Sequence, residues 1–132
     1  MFNLDQATPT LADCRFVANS AANGGAMANL TDGNAELNDC EFMQNIASGF
    51  GGAVFNTFSH PTMNDCVFDL NDAPQGGCMY NMAESVPLAT NCDFTSNTAE
   101  LLGGRVQSRP QAQVHRMQVH RQHRELAGRR HA

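Results

Sequence analysis

The chain contains no lysine and no tryptophan, and its cations lie almost entirely at one end. Residues 1–104 contain one basic side chain, Arg15, against 12 acidic ones, so their net charge is −11. Residues 105–132 contain seven arginines against one acid, Glu125, so their net charge is +6. Because a surface that follows nucleic-acid phosphates needs clustered cations, we expect no nucleic-acid binding by residues 1–104.

Long apolar runs are also missing, since none approaches the roughly 20 residues that a membrane-spanning helix needs. The first five residues have neither the basic start nor the apolar stretch of a signal peptide. We therefore predict no membrane insertion by this segment. The chain also lacks a C-x-x-C pair and a D-x-[DN]-x-[DN]-G loop, so we predict no metal site and no cofactor.

The residues that are present form a repeat. Four of the five cysteines recur at a constant 26-residue spacing, and each is followed by phenylalanine, asparagine and alanine at fixed distances. A Gly-Gly pair begins ten or eleven residues after each cysteine. The repeated positions are Cys14, Cys40, Cys66 and Cys92; Phe16, Phe42, Phe68 and Phe94; Asn19, Asn45, Asn71 and Asn97; and, as the second glycine of each pair, Gly25, Gly52, Gly77 and Gly104.

This repeat predicts an all-β fold, a parallel β-helix (solenoid) of about four 26-residue coils over residues 1–104, uncapped at its ends. Cysteine and phenylalanine two residues apart are typical of short strands, in which alternate residues share a side. Helical repeats are longer, roughly 33 to 47 residues, and a leucine-rich repeat needs a leucine ladder that is missing. Coils stack roughly 4.8 Å apart, so each repeated position becomes a ladder.

The ladders have predicted roles. Cysteine and phenylalanine point into the core, together with a third ladder of Leu11, Leu37, Met63 and Leu88. Asparagine is expected to form turns, because it tolerates left-handed dihedrals and bonds neighbouring backbone amides. The cysteines, including Cys78, are expected to be buried and reduced, because parallel side chains on one ladder have poor disulfide geometry.

Two motifs within the repeat resemble a known family. F-x-x-N occurs at Phe16–Asn19 and Phe42–Asn45, and G-G-A at Gly24–Ala26 and Gly51–Ala53. Together they are similar to the repeats of chlamydial polymorphic outer membrane proteins, and the resemblance covers residues 1–104. In the third coil Cys78 departs from it by replacing the alanine of G-G-A.

The resemblance implies a right-handed β-helix that forms the passenger of an autotransporter implicated in adhesion. General right-handedness of parallel crossovers favours the same hand. The implied location of the parent protein is the cell surface, the outer membrane or the extracellular space. Implied partners are a host-surface protein or glycan, and further β-helix coils of a longer parent chain.

Both ends of the repeat are interpreted as interrupted. Asn3 lies 11 residues before Cys14, the same interval as Asn29 before Cys40, so the chain is expected to begin inside a coil. After the fourth Gly-Gly pair a further cysteine is due near position 118, but residues 105–132 are basic instead. We predict that this tail is disordered.

Two interpretations of the tail are open. The favoured one is a shifted reading frame, because the codons of Met117-Gln118 read from the second base give cysteine at the expected position. Gln122-His123 then give asparagine or serine five residues on. The alternative is a genuine cationic tail, which would restore nucleic acid or anionic lipid as a partner.

A column of carboxylates is predicted on the outside of the coils. Asp13, Asp39 and Asp65 each precede a cysteine, and Asn91 takes this position in the fourth copy. Calcium bridging or a carbohydrate contact is one interpretation. A solvated face that prevents edge association is the favoured one.

Three functions follow from these observations. The favoured one is a structural and adhesive stalk of a surface or secreted protein, and the others are a polysaccharide lyase or glycoside hydrolase and a gene fragment without function. An enzyme of this fold would need paired carboxylates, or calcium with a basic group. Residues 1–104 offer only Arg15 and His60 as basic candidates and no long inserted loop. We therefore predict a protein that is not an enzyme and has no catalytic residues.

Overall fold

The computed structural model describes residues 1–99 and, for the backbone alone, Val114–His115 and Gln118–His120. Regular structure in this part of the chain is entirely β-strand. Among the described residues no helix has the length and apolar character needed to cross a membrane.

The strands are short and recur four to a coil. A first strand, β1 (Phe2–Asn3), precedes coil 1. Coil 1 consists of β2 (Thr10–Ala12), β3 (Arg15–Val17), β4 (Ser20–Asn23) and β5 (Met27–Leu30). Coil 2 consists of β6 (Glu36–Asn38), β7 (Glu41–Met43), β8 (Ile46–Phe50) and β9 (Val54–Thr57). Coil 3 consists of β10 (Thr62–Asn64), β11 (Val67–Asp69), β12 (Asp72–Ala73) and β13 (Met79–Met82). Coil 4 contains β14 (Leu88–Thr90), β15 (Asp93–Thr95) and β16 (Thr98–Ala99).

Corresponding strands of successive coils pair in parallel and form four sheets, which we name by an interior residue. They are the Asn sheet (β1, β5, β9, β13), the Leu sheet (β2, β6, β10, β14), the Phe sheet (β3, β7, β11, β15) and the Ala sheet (β4, β8, β12, β16). Phe16 faces Phe42, Phe42 faces Phe68, and Phe68 faces Phe94, so the sequence repeat and the strand register coincide. The predicted parallel solenoid of about four 26-residue coils is confirmed.

Stacked side chains form the interior. The phenylalanine rings of the Phe sheet lie parallel, with centroids 4.7, 4.7 and 4.8 Å apart along the ladder. Cys40, Cys66, Cys92 and three of these phenylalanines are fully buried. The core extends to the Leu sheet, where Met63 faces Ala89, whereas Leu88 faces Thr62 and is half-exposed. The prediction that Leu88 completes the third core ladder is therefore wrong.

Residues with positive φ break each coil into short strands. Between the Leu and Phe sheets the left-handed residues are Asp13, Asp39, Asp65 and Asn91, and between the Phe and Ala sheets they are Ala18, Gln44, Leu70 and Ser96. The second set directly precedes the repeated asparagines. The prediction that these asparagines themselves supply the left-handed conformation is therefore wrong. Three of the four have buried side chains instead.

Coil 2 differs from coils 1 and 3 by one residue at two places. Its Gly-Gly pair comes one residue later, and a bulge in β8 accommodates the extra residue, since Ala21 faces Ala47 but Asn23 faces Phe50. At the corner after β9 the left-handed conformation is taken by one residue, Phe58, where the corner after β5 uses two. The coil therefore regains the common register.

The two glycines of a pair serve different purposes. Gly24 has a φ of +64°, a backbone conformation that residues with a side chain rarely adopt. Gly25 has no room for a side chain, because a Cβ there would lie 2.2 Å from the carbonyl oxygen of Gly52 in the next coil. The pair therefore permits both a turn and a close approach of two coils. The corresponding role predicted for Gly104 lies outside the described residues.

Two strands in the tail continue the stack. β17 (Val114–His115) pairs with β14, and β18 (Gln118–His120) pairs with β15, both in parallel. For these five residues the structure shows pairing in place of the predicted disorder. The rest of that prediction lies outside the described residues, and the shifted reading frame stays a prediction.

Candidate functional site

The repeated asparagines of the F-x-x-N motif form a hydrogen-bonded ladder inside the coils. The Oδ1 atom of Asn71 accepts from the backbone N–H of Asn45 at 2.9 Å and from its Nδ2 at 3.0 Å. The Nδ2 atom of Asn71 donates to Asn97 and to the carbonyl oxygen of Phe42, both at 2.9 Å. Asn45, Asn71 and Asn97 are fully buried, whereas Asn19 in the first coil is exposed. These amides are structural groups with their bonding capacity used within the fold.

A second asparagine ladder lies within the Asn sheet. Nδ2 of Asn3 donates to Oδ1 of Asn29 at 2.6 Å, Asn29 donates to Asn56 at 2.8 Å, and Asn56 donates to Asn81 at 2.7 Å. The first three of these residues are buried. They lie within strands, a position that the turn propensity of asparagine does not predict. Asparagine is stable there because a ladder of identical amides satisfies its own buried donors and acceptors.

A ladder of serines was missed by the sequence analysis. The backbone N–H of Gly33 donates to Oγ of Ser59 at 3.2 Å, and the backbone N–H of Ser59 donates to Oγ of Ser85 at 3.1 Å. Both serines are buried. The signal was present, because these positions recur at the same spacing as the cysteines.

The cysteine ladder is closed to solvent except at its first member. All five thiols are free, and Cys14 alone among them is partly exposed. Each buried ladder thiol donates to backbone carbonyls, as Cys66 does to Asn64 at 3.4 Å and to Leu37 at 3.6 Å. A hydrogen bond to Cys92 and burial raise the pKa of Cys66, and burial raises the pKa of Cys40 and Cys78. Protonated, enclosed thiols are poor nucleophiles and poor metal ligands.

The carboxylates of Asp13, Asp39 and Asp65 are exposed at the left-handed corners between the Leu and Phe sheets. Aspartate and asparagine are the non-glycine residues that adopt this conformation most readily, which explains their recurrence without a ligand. Within residues 1–99 no group of three or more His, Cys, Asp or Glu side chains is arranged to hold a metal ion.

The two candidate basic groups lie in different parts of the coil, and each is already bonded. Arg15 lies on the Phe sheet, where its Nε is 2.7 Å from Oε2 of Glu41 in an exposed ion pair. His60 lies in the corner between the Asn and Leu sheets, and its Nδ1 accepts the backbone N–H of Val86 at 3.1 Å. The structure does not bring them together.

A depression of about 590 Å³ lies over coil 1. Its lining includes Phe2, Phe16, Asn19, Ser20 and Gly25, and no carboxylate, imidazole or thiol. The lining consists largely of the exposed sides of the ladders and strands of coil 1. Among the lining residues the titratable group is the terminal amine of Met1, which donates to the carbonyl oxygen of Ala26.

The comparison with protein families agrees with this geometry. The model of the Chlamydia polymorphic membrane protein (PMP) repeat matches residues 39–57. The matched segment begins at the left-handed corner of coil 2 and ends with strand β9, so it includes the cysteine, the F-x-x-N motif and the Gly-Gly pair. The solenoid carries a PMP-type repeat.

The predicted resemblance is thereby confirmed. The other coils share the register of the PMP-type coil, since strands β3, β7, β11 and β15 pair without offset. No curated protein and no solved structure matches the chain.

Proposed function

We propose that the chain is a structural and adhesive stalk segment of a surface-exposed or secreted protein, and that it has no catalysis of its own. The observation that carries the proposal is the match of residues 39–57 to the PMP repeat. That family suggests an outer-membrane or surface location for the parent protein. Partners of the proposed stalk are a host-surface protein or glycan and further coils of a parent chain.

The contrast between interior and exterior supports a stalk. Interior positions repeat from coil to coil, because each ladder packs on its own kind. Exterior positions vary, as along the Phe sheet, where Arg15 faces Glu41, Glu41 faces Val67 and Val67 faces Asp93. A solenoid in which fixed residues hold the coils leaves its outer residues available for partners.

The absence of catalysis is part of the proposal, and the placement of the basic groups supports it. General acid–base catalysis needs a base within hydrogen-bond reach of the substrate and an opposing acid. Arg15 is paired in the open, and the Nδ1 atom of His60 is bonded to the backbone, on different faces of the solenoid.

A bead assay tests the adhesive role. Beads coated with the full chain are expected to bind cultured epithelial cells more than albumin-coated beads do, and heat-unfolded chain is the matched control. Binding equal to that of albumin would overturn adhesion. Release of reducing or unsaturated sugars from a polysaccharide panel by the same protein would overturn the absence of catalysis.

A further inference from the structure

The outer face of the Asn sheet differs from the rest of the surface. Its outward residues alternate with buried Met27, Val54 and Met79, and none of them is charged. One row pairs Phe2 with Ala28, Phe55 and Tyr80, and the next row pairs Leu30 with Thr57 and Met82. We call these seven residues, with Phe50 and Phe58 at the borders, the outer face.

Aromatic side chains concentrate there. Four of the nine aromatic residues form the internal phenylalanine ladder, and the other five lie on the outer face. The rings of Phe50 and Tyr80 lie 4.7 Å apart, and those of Phe55 and Tyr80 lie 6.4 Å apart. Phe2 is 65% exposed and Phe58 is 58% exposed, Phe50 and Tyr80 are half-exposed, and Phe55 is buried, so four of the five rings remain open to a partner.

The conformation and exposure of Phe58 are not explained by the stability of the fold. This residue takes a left-handed conformation, with a φ of 50°, that is unfavourable for a bulky side chain, and it projects into solvent. Neighbouring coils place Thr31-Asp32 and Ala83-Glu84 at this corner. An exposed aromatic residue held in a strained conformation suggests a role in binding.

Carboxylates border the outer face at the carboxyl ends of its strands. Asp5, Asp32 and Glu84 are exposed and each lies two residues beyond a strand of the sheet. Arg15 is paired on the Phe sheet, and the terminal amine of Met1 lies at the opposite, amino-end border of the Asn sheet, where it donates to the carbonyl oxygen of Ala26. An apolar, aromatic surface with an acidic border in an acidic domain is complementary to a cation.

The size of the face favours a short occupant. Four strands at roughly 4.8 Å and about four residues at roughly 3.3 Å give about 250 Å². A stable interface between folded proteins needs about 800 Å² from each partner. The face is therefore too small to hold a second copy of the chain, and it suits an extended segment of a few residues.

We propose that the outer face binds a short, extended, cationic segment of a partner protein, whose arginine or lysine side chains pack on the Phe and Tyr rings and pair with the acidic border. The proposal deepens the adhesive role, on which it rests. Cation–π contact and charge pairing act on the same guanidinium group at the corner where Phe58 lies next to Asp32.

Fluorescence anisotropy of labelled peptides with the full chain tests the proposal. The probe alternates arginine and valine over about eight residues, which crosses the face at roughly 3.3 Å per residue, and matched peptides carry glutamine or glutamate for arginine. We expect binding of the arginine peptide alone, weakened by added salt.

Three variants locate the site. Asp32→Asn with Glu84→Gln is expected to weaken binding roughly fivefold, from the loss of two exposed charge pairs. Phe58→Ser is expected to weaken it roughly two- to fivefold, from the loss of a cation–π contact. Asp13→Asn with Asp39→Asn removes the same charge from another corner and is expected to change binding less than about twofold. Circular dichroism checks that each variant is folded.

Several outcomes would overturn the proposal. Equal binding of the glutamine peptide would indicate a merely apolar site, and equal weakening by both charge variants would indicate unspecific attraction. A doubled mass in sedimentation that Phe58→Ser abolishes would make a second copy the occupant. Bead adhesion that persists in the Asp32→Asn, Glu84→Gln variant would overturn this site while leaving the adhesive role intact.

Discussion

Single buried amides hold neighbouring coils together. Asn71 bonds to Asn45, Asn97 and the Phe42 carbonyl, so its side chain links three coils. Removing one such group leaves its partners buried without bonds, and the resulting desolvation penalty exceeds the net contribution of an ordinary hydrogen bond.

Asn71→Ala is therefore expected to lower the free energy of unfolding by at least about 2 kcal/mol. Urea denaturation followed by circular dichroism measures the change. Asn19→Ala is the matched control, and because Asn19 is exposed we expect a loss below about 1 kcal/mol. Equal losses in the two variants would mean that burial of the ladder is unimportant.

The corner column of carboxylates makes a second prediction for a single side chain. Asp39→Asn keeps a residue that tolerates a φ of 53° and removes repulsion from two neighbouring carboxylates. We expect it to stabilise the chain by about 0.5 kcal/mol at low salt. Asp39→Ala is expected to destabilise it by about 1 kcal/mol, because alanine disfavours the left-handed region.

Thermal unfolding of both Asp39 variants with and without calcium provides the measurement. Stabilisation of the original chain by calcium, lost in Asp39→Asn, would contradict the interpretation of a solvated column and identify a cation site.

Buried thiols predict a loss of stability in alkaline solution. An unfolded thiol has a pKa of about 8.5, and the folded pKa of Cys78 is raised by burial. The folded state therefore keeps a proton that the unfolded state loses, so the contribution is complete below about pH 8.5 and declines above it. Above that pH, each such thiol lowers the free energy of unfolding by about 1.4 kcal/mol per pH unit.

Cys78→Ala is a suitable variant, because Ala26 and Ala53 occupy the same position in coils 1 and 2. Urea denaturation between about pH 8.5 and 10 measures how the free energy of unfolding declines with pH. In this variant the decline is expected to be smaller by about 1.4 kcal/mol per pH unit. Cys14→Ala is the control, since Cys14 is partly exposed. An unchanged slope in Cys78→Ala would show that this thiol does not stay protonated.

Within the sheets, the internal phenylalanine ladder and the outer aromatic cluster have different tasks. Phe68 is fully buried between two parallel rings, at 4.7 and 4.8 Å. Phe68→Ala is expected to cost about 3–5 kcal/mol in the free energy of unfolding. Phe50→Ala is expected to cost less than about 2 kcal/mol, because Phe50 is half-exposed.

Denaturation of both variants under the same conditions gives the comparison. A greater loss for Phe50 than for Phe68 would place the main stabilising aromatic cluster outside the coils and contradict the assigned roles.

The sequence predicted strand positions correctly where a residue type repeated. The predictions were wrong where backbone hydrogen bonding and dihedral angles determine which residue faces inward or turns. Leu88 matched the apolar class, but pairing places Ala89 opposite Met63. Asparagine suggested a turn, but in this fold the residue before it turns and the amide points inward. Side-chain type therefore located the ladders, while the register of the hydrogen bonds assigned each corner.

For the chain as a whole, the 26-residue spacing of cysteine and phenylalanine was enough to predict the architecture. The outer face was not predictable in this way, because its aromatics do not recur at one position. Ala28 lies between Phe2 and Phe55, and Phe50 lies beside a bulge that one coil possesses. Such a surface emerges only when the coils are stacked.

The most direct test of the solenoid is nuclear Overhauser spectroscopy on the isotope-labelled full chain. In-register stacking requires proton contacts between residues one coil apart in sequence, which no local structure produces. We expect cross-peaks between the side-chain amides of Asn45 and Asn71 and of Asn71 and Asn97, whose hydrogen bonds are 3.0 and 2.9 Å long. Contacts limited to residues three or four apart, without any between successive coils, would contradict the fold and the surfaces assigned to it.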